Sequence, residues 1–486
     1  MHDGSPVVKT PFRAAYEPRA PRESRASDDF ALNGVDAATG EYLPAPTPRE
    51  ISAHVLGEKP GAKRLVYGVD SRRLDQSGWG VVFAPRTGAA VRSALRPLLD
   101  HRAEQAGELY REEDYQGESK PCFLARHGVG YGAVNPADVP YYLLLVGDPE
   151  EIPFEFQHQL DVQYAVGRLC FDTPEEYERY AGSVLAAETG KLRPERRIGF
   201  FAVRNHDDRA TELTAGLLAV PLADSLSKSC PKWRVERRFD ADATKESLTR
   251  WLGRSEAPAV VFTACHGLSF PSGHDLQRGG QGALLCQDWP GPRQWHGAIP
   301  RDFYFAADDV GPDAQVGGRI VFHFGCYSAG TPRSDDYVYE GWTAAGSTPA
   351  RTLAPRAFLS RLPQRLLGHP RGGALAVVGH VERAWDCSFR WRGAGSRRPQ
   401  LQVFESALRQ LLDGYPVGAA LDVFHERYAE IATEIDAERR RHRDDGDAAG
   451  EKALASLWTA RNDARNYALL GDPAVRLAVG QEGQQP

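Results

Sequence analysis

The stretches VVFTACHG (Val260–Gly267) and IVFHFGCYS (Ile320–Ser328) decide the fold that we predict for this chain of 486 residues. Each is a β-branched and aromatic run that stops at small or polar residues, a pattern typical of a buried parallel strand that ends in a loop. Sites in open α/β sheets form beyond the carboxyl ends of such strands. We therefore expect His266 and Cys326 to lie side by side, each just past the end of a strand.

Composition and charge exclude several classes of protein. Hydrophobic residues make up 42% of the chain and charged residues 26%, as in a globular protein. The formal net charge of −6 gives no overall attraction to nucleic acid or to an anionic membrane, so we expect neither as a partner. The seven cysteines lack CxxC pairs, which argues against a disulfide framework or a zinc ribbon. Together with the absence of a signal-peptide core and of a long apolar run, this favours a cytoplasmic protein.

The order of strand-like and helix-like patterns predicts an α/β fold with a parallel or mixed sheet flanked by helices. Residues 1–46 are rich in Pro, Ala, Arg and Asp, and we expect a poorly ordered arm there. Residues 47–192 are predicted to form a smaller N-terminal α/β subdomain. Residues 193–480 are predicted to form the main domain, and residues 481–486 a tail.

The predicted strands and helices alternate along most of the chain. Strands are predicted at 64–69, 79–83, 141–147, 164–170, 197–203, 233–239, 260–264, 320–325 and 373–381. Helices are predicted from Thr87, Thr173, Asp208, Thr244 and Ala354, and near 401–413, 417–442 and 450–464. Two loop-like insertions, 268–318 and 329–352, flank the segments that carry His266 and Cys326. Loops of this length are usually functional or mobile, and either they cover a cleft until cut or displaced, or they shape a substrate groove.

His266 and Cys326 are a candidate base and nucleophile. A Cys thiolate with an imidazole in reach is suited to acyl transfer. The small residues Gly267 and Gly325 leave room for the backbone, and the N–H groups of Gly267 and Cys326 are candidate donors to an oxyanion. Taken singly, a His at a strand end is more often structural, and a buried Cys usually packs as a small hydrophobe. Their predicted adjacency favours the catalytic interpretation.

Other chemistries fit the sequence less well. Ser328 lies in CYSAG, which lacks the first Gly of a hydrolase nucleophile elbow. Metal binding would have to draw on side chains that share no recognised ligand spacing, namely Cys265, His266, His274 and His296. We therefore expect no metal and no other cofactor.

Several blocks of the sequence resemble a known group of enzymes. TACHG (Thr263–Gly267) followed by FHFGCYSAG (Phe322–Gly330) resembles the His-Gly and Cys blocks of caspase-like (clan CD) cysteine peptidases. Further stretches are similar to the gingipain type of that clan, namely LLLVGDPEEIP from Leu143, YAVGRL from Tyr164, GALAVVGHVERAW from Gly373 and NYALLGDPAVRL from Asn466. The resemblance covers residues 140–478. It implies a caspase-like sheet flanked by helices and a cysteine endopeptidase that forms a thioester.

The resemblance also implies roles for individual residues. His266 would be the general base and acid, and Cys326 the nucleophile. An acid that orients the His has no counterpart at Val203–Asn205, where only Val, Arg and Asn stand. We therefore expect a Cys-His dyad and leave a third member open.

Specificity for a basic residue, preferably Arg, follows from the same resemblance. An aromatic side chain, here Trp385, would line the specificity pocket. An Asp at the foot of that pocket would receive the Arg side chain; Asp207 matches best, and Asp208 lies one register away. The alternative is that one or both of these Asp residues only cap the helix that follows.

The biological expectations rest on the resemblance as well. It implies an intracellular prokaryotic caspase homologue, a regulated protease of an antiviral defence or death pathway, made as a zymogen. Proteins would be its substrates, and an upstream activating protease is left open. Two alternatives are kept: a catalytically silent caspase-like scaffold for protein interaction, and a cysteine hydrolase that does not cleave peptide bonds.

Overall fold

A computed structural model describes residues 65–337, 351–390, 399–445 and 448–479 of the chain. Ten strands of these residues share one sheet flanked by helices, which confirms the predicted α/β class and its mixed sheet. The predicted arm 1–46, the tail 481–486 and the first residues of the predicted N-terminal subdomain, 47–64, lie outside the described residues.

The main sheet has the order β2-β1-β3-β4-β14-β13-β10-β7-β5-β6. Its strands are β1 (Trp79–Phe83), β2 (Tyr110–Asp114), β3 (Tyr142–Val146), β4 (Ala165–Leu169), β5 (Arg197–Ala202), β6 (Arg234–Phe239), β7 (Val260–Ala264), β10 (Ile320–Phe324), β13 (Ala376–His380) and β14 (Tyr467–Gly471). All neighbouring pairs are parallel except β13 with β14. Two small antiparallel sheets pair β8 (Leu284–Leu285) with β9 (Tyr304–Phe305) and β11 (Gly330–Thr331) with β12 (Phe358–Leu359).

The described helices lie between and after these strands. The α-helices are Leu74–Ser77, Ala89–Ala106, Lys120–Arg126, Phe154–Asp161, Pro174–Glu188, Arg209–Thr214, Val220–Ser229, Lys245–Leu248, Gln277–Gly280, Arg361–Leu367, Gln402–Leu412, Val417–Ala420, Asp422–Asp445 and Ala448–Arg465. Two of these helices continue as short π-helical segments. Arg209–Thr214 is followed by Ala215–Ala219, and Lys245–Leu248 is followed by Thr249–Gly253. Thr173 and Glu176 form the capping box that starts the helix Pro174–Glu188.

Three segments illustrate where the predicted elements and the structure differ. The predicted strand 64–69 is wrong, because only Leu65 forms an isolated bridge and Tyr67 is fully exposed, so the segment has no buried face. The strand β2 was not predicted, since an edge strand of sequence YREED lacks the apolar pattern of a buried one. The helix predicted from Ala354 begins only at Arg361, because Phe358 and Leu359 first pair with β11.

The central strands β7, β10 and β13 are buried along their whole length. Strands covered on both faces need apolar residues at every position, which explains their continuous hydrophobic runs. The polar exception in β10 is His323, whose Nδ1 lies 2.7 Å from the Oγ1 of Thr263 on β7. Burial lowers the pKa of His323 to about 3, so this ring is neutral in the core.

A buried carboxylate joins strands from both predicted parts of the chain. Asp472, just after β14, accepts hydrogen bonds from the Nε of Arg102 at 2.7 Å and from the Nε1 of Trp79 at 2.9 Å. The Arg102 guanidinium also contacts Glu188 at 2.6 Å. Because β14 pairs with β4 as well, the sheet is continuous across the predicted boundary at 192/193. That division into subdomains stays a prediction.

We expect Asp472→Ala to lower the free energy of unfolding by about 3 kcal/mol, because it removes one of the two carboxylates that pair with the buried Arg102 guanidinium and leaves the buried Trp79 indole N–H without its acceptor. Urea unfolding monitored by fluorescence measures this loss. The control is Asp413→Ala, since Asp413 is exposed, and its substitution should change stability by less than about 0.5 kcal/mol. Equal losses in the two variants would contradict the role of Asp472.

Candidate active site

His266 and Cys326 lie just beyond the ends of two neighbouring parallel strands, which confirms their predicted adjacency. The pairing of β7 with β10 ends with Ala264 opposite Phe324, two residues before His266 and Cys326. The backbone of Gly267 lies against that of Cys326, so that a Cβ added at position 267 would stand 1.8 Å from the Cys326 carbonyl oxygen. Only glycine fits this close approach.

An acid, Asp208, is hydrogen-bonded to His266, with its Oδ2 2.6 Å from the imidazole Nε2. The same carboxylate caps the following helix by accepting from the backbone N of Ala210 at 3.1 Å and from the Oγ1 of Thr211 at 2.9 Å. Burial raises the pKa of Asp208, but the hydrogen bond to His266 and the two cap donors outweigh it, and the net pKa lies below its ordinary value. Asp208 is therefore an anion beside the imidazole.

Asp208 is a candidate for the acid that has no counterpart at Val203–Asn205, and it lies beyond that segment on the same loop. The helix N-cap pattern is the one local signal at Asp208, and the structure confirms that cap. No local pattern indicates that an oxygen of the capping carboxylate also faces His266.

The insertion 268–318 supports the loop that carries Asp208. The side-chain amide of Gln287 bonds both the N and the O of Arg204, at 2.7 Å each. The buried Asn205 donates to the carbonyl oxygens of Cys286 and Trp289. These hydrogen bonds hold the insertion against Arg204 and Asn205, at the start of the loop that carries Asp208. The second insertion, 329–352, is described only in part, since residues 338–350 lie outside the described residues.

Cys326 is half-buried, and its sulfur contacts the backbone of Ala384. The Ala384 N–H donates to Sγ over 3.4 Å, and the Ala384 carbonyl oxygen lies 3.8 Å from Sγ. Among the described residues, the sulfur has no other hydrogen-bond partner. Burial raises the pKa of the thiol above its ordinary value, against the opposing effect of the Ala384 N–H. The thiol is therefore protonated at neutral pH and needs a base to become a nucleophile.

Two backbone N–H groups beside the sulfur lack a protein acceptor. Among the described residues, the amides of Gly267 and Cys326 donate to no backbone or side-chain oxygen. Of the amides nearby, those of Cys265, Leu268 and Tyr327 donate to the carbonyl oxygens of Phe324, Ala283 and Glu382. Unpaired amides next to a nucleophile are what an oxyanion requires.

The predicted pocket residues lie at the same end of the sheet. Trp385 follows Ala384 directly, and its side chain is 39% exposed and 5.7 Å from the ring of Tyr337. Asp207 is exposed, with a left-handed backbone (φ 55°), and its carboxylate contacts His206 at 3.0 Å and Arg293 at 3.7 Å. The helix that follows Asp208 packs against the turn that follows Trp385.

A buried ionic cluster fixes the segment before Trp385 to the loop after Cys326. Glu382 is fully buried with φ 74°, and its carboxylate contacts Arg383 at 2.9 Å and the N–H of Asp336 at 3.2 Å. Arg383 also pairs with the buried Asp335. Burial raises the pKa of Glu382 to about 7, although Arg383 opposes the shift. None of these residues was singled out from the sequence.

Neither a metal cluster nor a membrane span emerges from the described residues. In that part of the chain, no group of three or more His, Cys, Asp or Glu side chains is placed to hold a metal ion. Of the described helices, none combines the length and the hydropathy that a membrane crossing needs.

Comparison with solved structures finds proteins of similar fold. The crystal structure of gingipain R (RgpB), an Arg-specific cysteine proteinase, matches 82% of this chain and 78% of its own, with 12% identity and a TM-score of 0.47. A complex of the pro- and mature domains of RgpB from Porphyromonas gingivalis matches 83% and 80%, with 12% identity and a TM-score of 0.46. A structure described as a protease gives 10% identity over 82% and 78%, with a TM-score of 0.46.

A scan against protein-family models finds no match, and a search of curated proteins finds none either. At these identities the structural similarity concerns the fold alone. The chemistry of the site has to be inferred from its own residues.

We expect Gly267→Ala to lower the free energy of unfolding by about 1–3 kcal/mol, because its Cβ would collide with a backbone carbonyl that has no room to move. Gly279→Ala is the matched control, since nothing lies within 4 Å of a Cβ added there. Chemical denaturation of both variants tests the contact, and a Gly267→Ala protein as stable as Gly279→Ala would contradict it.

Proposed function

We propose that the chain is a cysteine endopeptidase that cleaves proteins after a basic residue, preferably Arg. The observation that carries this proposal is the hydrogen bond between the Asp208 carboxylate and the His266 imidazole, with His266 and Cys326 following the neighbouring strands β7 and β10. The Cys326 thiol and the unpaired N–H groups of Gly267 and Cys326 complete the set of groups on which the proposal draws. A nucleophile, a base, an orienting acid and an oxyanion site are the parts of an acyl-transfer centre.

The hydrogen bond at Asp208 sets the direction of proton transfer. Because the Nε2 of His266 is engaged by the carboxylate, Nδ1 is the nitrogen left to accept the proton of the Cys326 thiol. The thiolate then attacks the scissile carbonyl carbon. The negative charge that develops on the carbonyl oxygen is stabilised by the N–H groups of Gly267 and Cys326. Asp208 stabilises the imidazolium during this step.

The second half of the reaction regenerates the enzyme. The His266 imidazolium gives its proton to the leaving amine as the C–N bond breaks, which leaves the acyl group on Cys326 as a thioester. His266 then accepts a proton from water, and the hydroxide attacks the thioester through a second oxyanion. The second oxyanion collapses, the C–S bond breaks, and the carboxylic acid product leaves and ionises in water. The Cys326 thiolate takes the proton that His266 accepted from water.

Specificity for Arg is assigned to Asp207 and Trp385. Asp208 is already engaged by His266, Ala210 and Thr211, whereas Asp207 is exposed on the same loop. A carboxylate accepts the planar guanidinium fork in two parallel hydrogen bonds, a geometry that Lys does not offer. The exposed indole of Trp385 would pack along the aliphatic part of the substrate side chain and stack on its cation.

The alternatives make different predictions for the same residues. A catalytically silent scaffold would bind partners with Cys326 and His266 replaced by Ala as well as with both intact. A cysteine hydrolase of another kind would require Cys326 but would leave peptide bonds uncut. A cytoplasmic location, a zymogen form, an activating protease and a defence or death pathway rest on the sequence resemblance and stay predictions.

We expect Cys326→Ala and His266→Ala to abolish peptide cleavage without unfolding, because both residues lie at strand ends. Asp208→Asn should lower kcat by roughly a hundredfold or more, since an amide can hold the imidazole in the wrong tautomer. A fluorogenic peptide assay measures these changes. Asp313→Asn is the control, because Asp313 is an exposed residue of the 268–318 insertion. Full activity in Cys326→Ala would overturn the assignment.

We expect cleavage after Arg to exceed cleavage after Lys, and both to exceed cleavage after Asp or Leu. Asp207→Ala should lower kcat/KM for the Arg peptide by about 30-fold or more, because the substrate guanidinium loses its charged partner. Matched peptides that end in Arg, Lys, Asp and Leu test the order. Asp224→Ala, which removes another surface ion pair, is the control. Preferred cleavage after Asp or Leu would contradict the pocket while leaving the dyad intact.

A further inference from the structure

A second buried carboxylate lies behind the nucleophile, on the helix Ala448–Arg465. Asp463 is fully buried, and its Oδ1 accepts the backbone N–H of Trp385 at 2.9 Å. Its Oδ2 accepts the hydroxyl of Ser388 at 2.6 Å. The Nε2 of His380 at 3.5 Å and the guanidinium of Arg427 at 3.7 Å stand farther away. The short contacts of Asp463 thus go to the turn that follows Ala384.

The peptide group held by Asp463 is the one that touches the sulfur of Cys326. The N–H of Trp385 and the carbonyl of Ala384 belong to the same rigid peptide plane. That carbonyl oxygen lies 3.8 Å from Sγ, and the N–H of Ala384 donates to Sγ over 3.4 Å. The Ala384 N–H belongs to the preceding peptide group, Arg383–Ala384, which joins this plane at the Ala384 Cα. Fixing the Ala384–Trp385 plane therefore fixes the carbonyl that faces the sulfur and restrains the Ala384 N–H through the shared Cα.

We propose that Asp463 is a positioning residue that holds the Ala384–Trp385 peptide group so that the Ala384 N–H stabilises the thiolate of Cys326. This inference rests on the proposed role of Cys326 as nucleophile. In the structure the Cys326 thiol faces the Ala384 carbonyl oxygen while the Ala384 N–H donates to the sulfur, and only the N–H contact can persist once the thiol proton has gone to His266. A hydrogen bond to the charged form favours that form.

The charge of Asp463 opposes this effect and has to be separated from it. A buried negative charge near the sulfur disfavours the thiolate, and Asp463 and Glu382 both act in this sense, against Arg383. Asp463→Asn and Asp463→Ala both remove the charge of Asp463. Only Asn keeps an oxygen that can accept the Trp385 N–H, so the difference between the two variants reports the positioning contact alone.

The test is the pH dependence of alkylation at Cys326 in the full chain. Iodoacetamide labelling between about pH 5 and 10, quantified by mass spectrometry of the Cys326 peptide, gives a midpoint for each variant. We expect the midpoint of Asp463→Ala to lie about one unit above that of Asp463→Asn, and its labelling at pH 7 to be about tenfold slower. The nearby titratable groups His266, Glu382 and Arg383 are unchanged in both variants.

Two further variants keep the test decisive. Ser388→Ala breaks the same buried network but leaves the Trp385 contact, so its midpoint should stay near that of the natural chain. If Asp463→Ala does not fold, Asp463→Ser leaves a smaller cavity and a side chain too short to reach Trp385. Equal midpoints in the Asn and the Ala or Ser variants would overturn the proposal, as would an equal shift in Ser388→Ala.

Peptide cleavage by the natural chain, measured in parallel, separates this inference from the proposed function. A difference between the Asn and Ala variants without any peptide cleavage would support the positioning role and reject the peptidase. Cleavage that depends on Cys326, together with equal midpoints, would support the peptidase and reject the positioning role.

Discussion

The close approach of Gly267 to the backbone of Cys326 is the constraint on which the site depends. It follows from the register of β7 and β10, in which the two strands end at the same level. After Gly267 and Cys326 the two segments of the chain separate. Gly267 forms an isolated β-bridge with Leu284, and Tyr327, with φ 57°, donates its N–H to the carbonyl oxygen of Glu382. The ladder therefore stops with two amides unpaired. An unpaired buried amide costs free energy, and a substrate oxyanion would recover it.

The electrostatics of the site keep the resting thiol protonated while preparing its deprotonation. Burial disfavours the thiolate of Cys326, and the Ala384 N–H works in the opposite sense. In the proposed mechanism, Asp208, whose pKa is lowered, would offer a fixed negative charge to the imidazolium formed when His266 takes the proton. The resulting ion pair of thiolate and imidazolium would be supported at both ends by groups that are already in place, so that little reorganisation would be needed.

The sequence predicted the parts of this protein whose signals are local. The bounds of β1 and β7 match the predicted strands, and β10 ends one residue before its predicted end, because strands buried on both faces are recognised by their largely apolar runs. The adjacency of His266 and Cys326 follows from the same pattern. By contrast, the polar edge strand β2 lacks the apolar pattern of a buried strand. The segment 64–69 has such a pattern but does not form a strand.

Contacts between distant segments are what the sequence did not reveal. The sequence around Asp208 predicts a helix cap. The contact of Asp208 with His266 exists only because β5 and β7 are neighbours in the sheet. Likewise, Ala384 meets Cys326 only because β13 lies beside β10, and Asp463 reaches Trp385 from the helix that precedes β14. Such contacts depend on sheet order, which no local pattern encodes.

The central claim is that Cys326 carries the acyl group during turnover. Acid quenching in the pre-steady-state phase, with a peptide ester that ends in Arg, followed by mass spectrometry of the Cys326 peptide, tests it directly. The account predicts an added mass equal to that of the acyl portion of the substrate on Cys326, removed by hydroxylamine. A burst of product with Cys326 unmodified, or an acyl group on another residue, would contradict it.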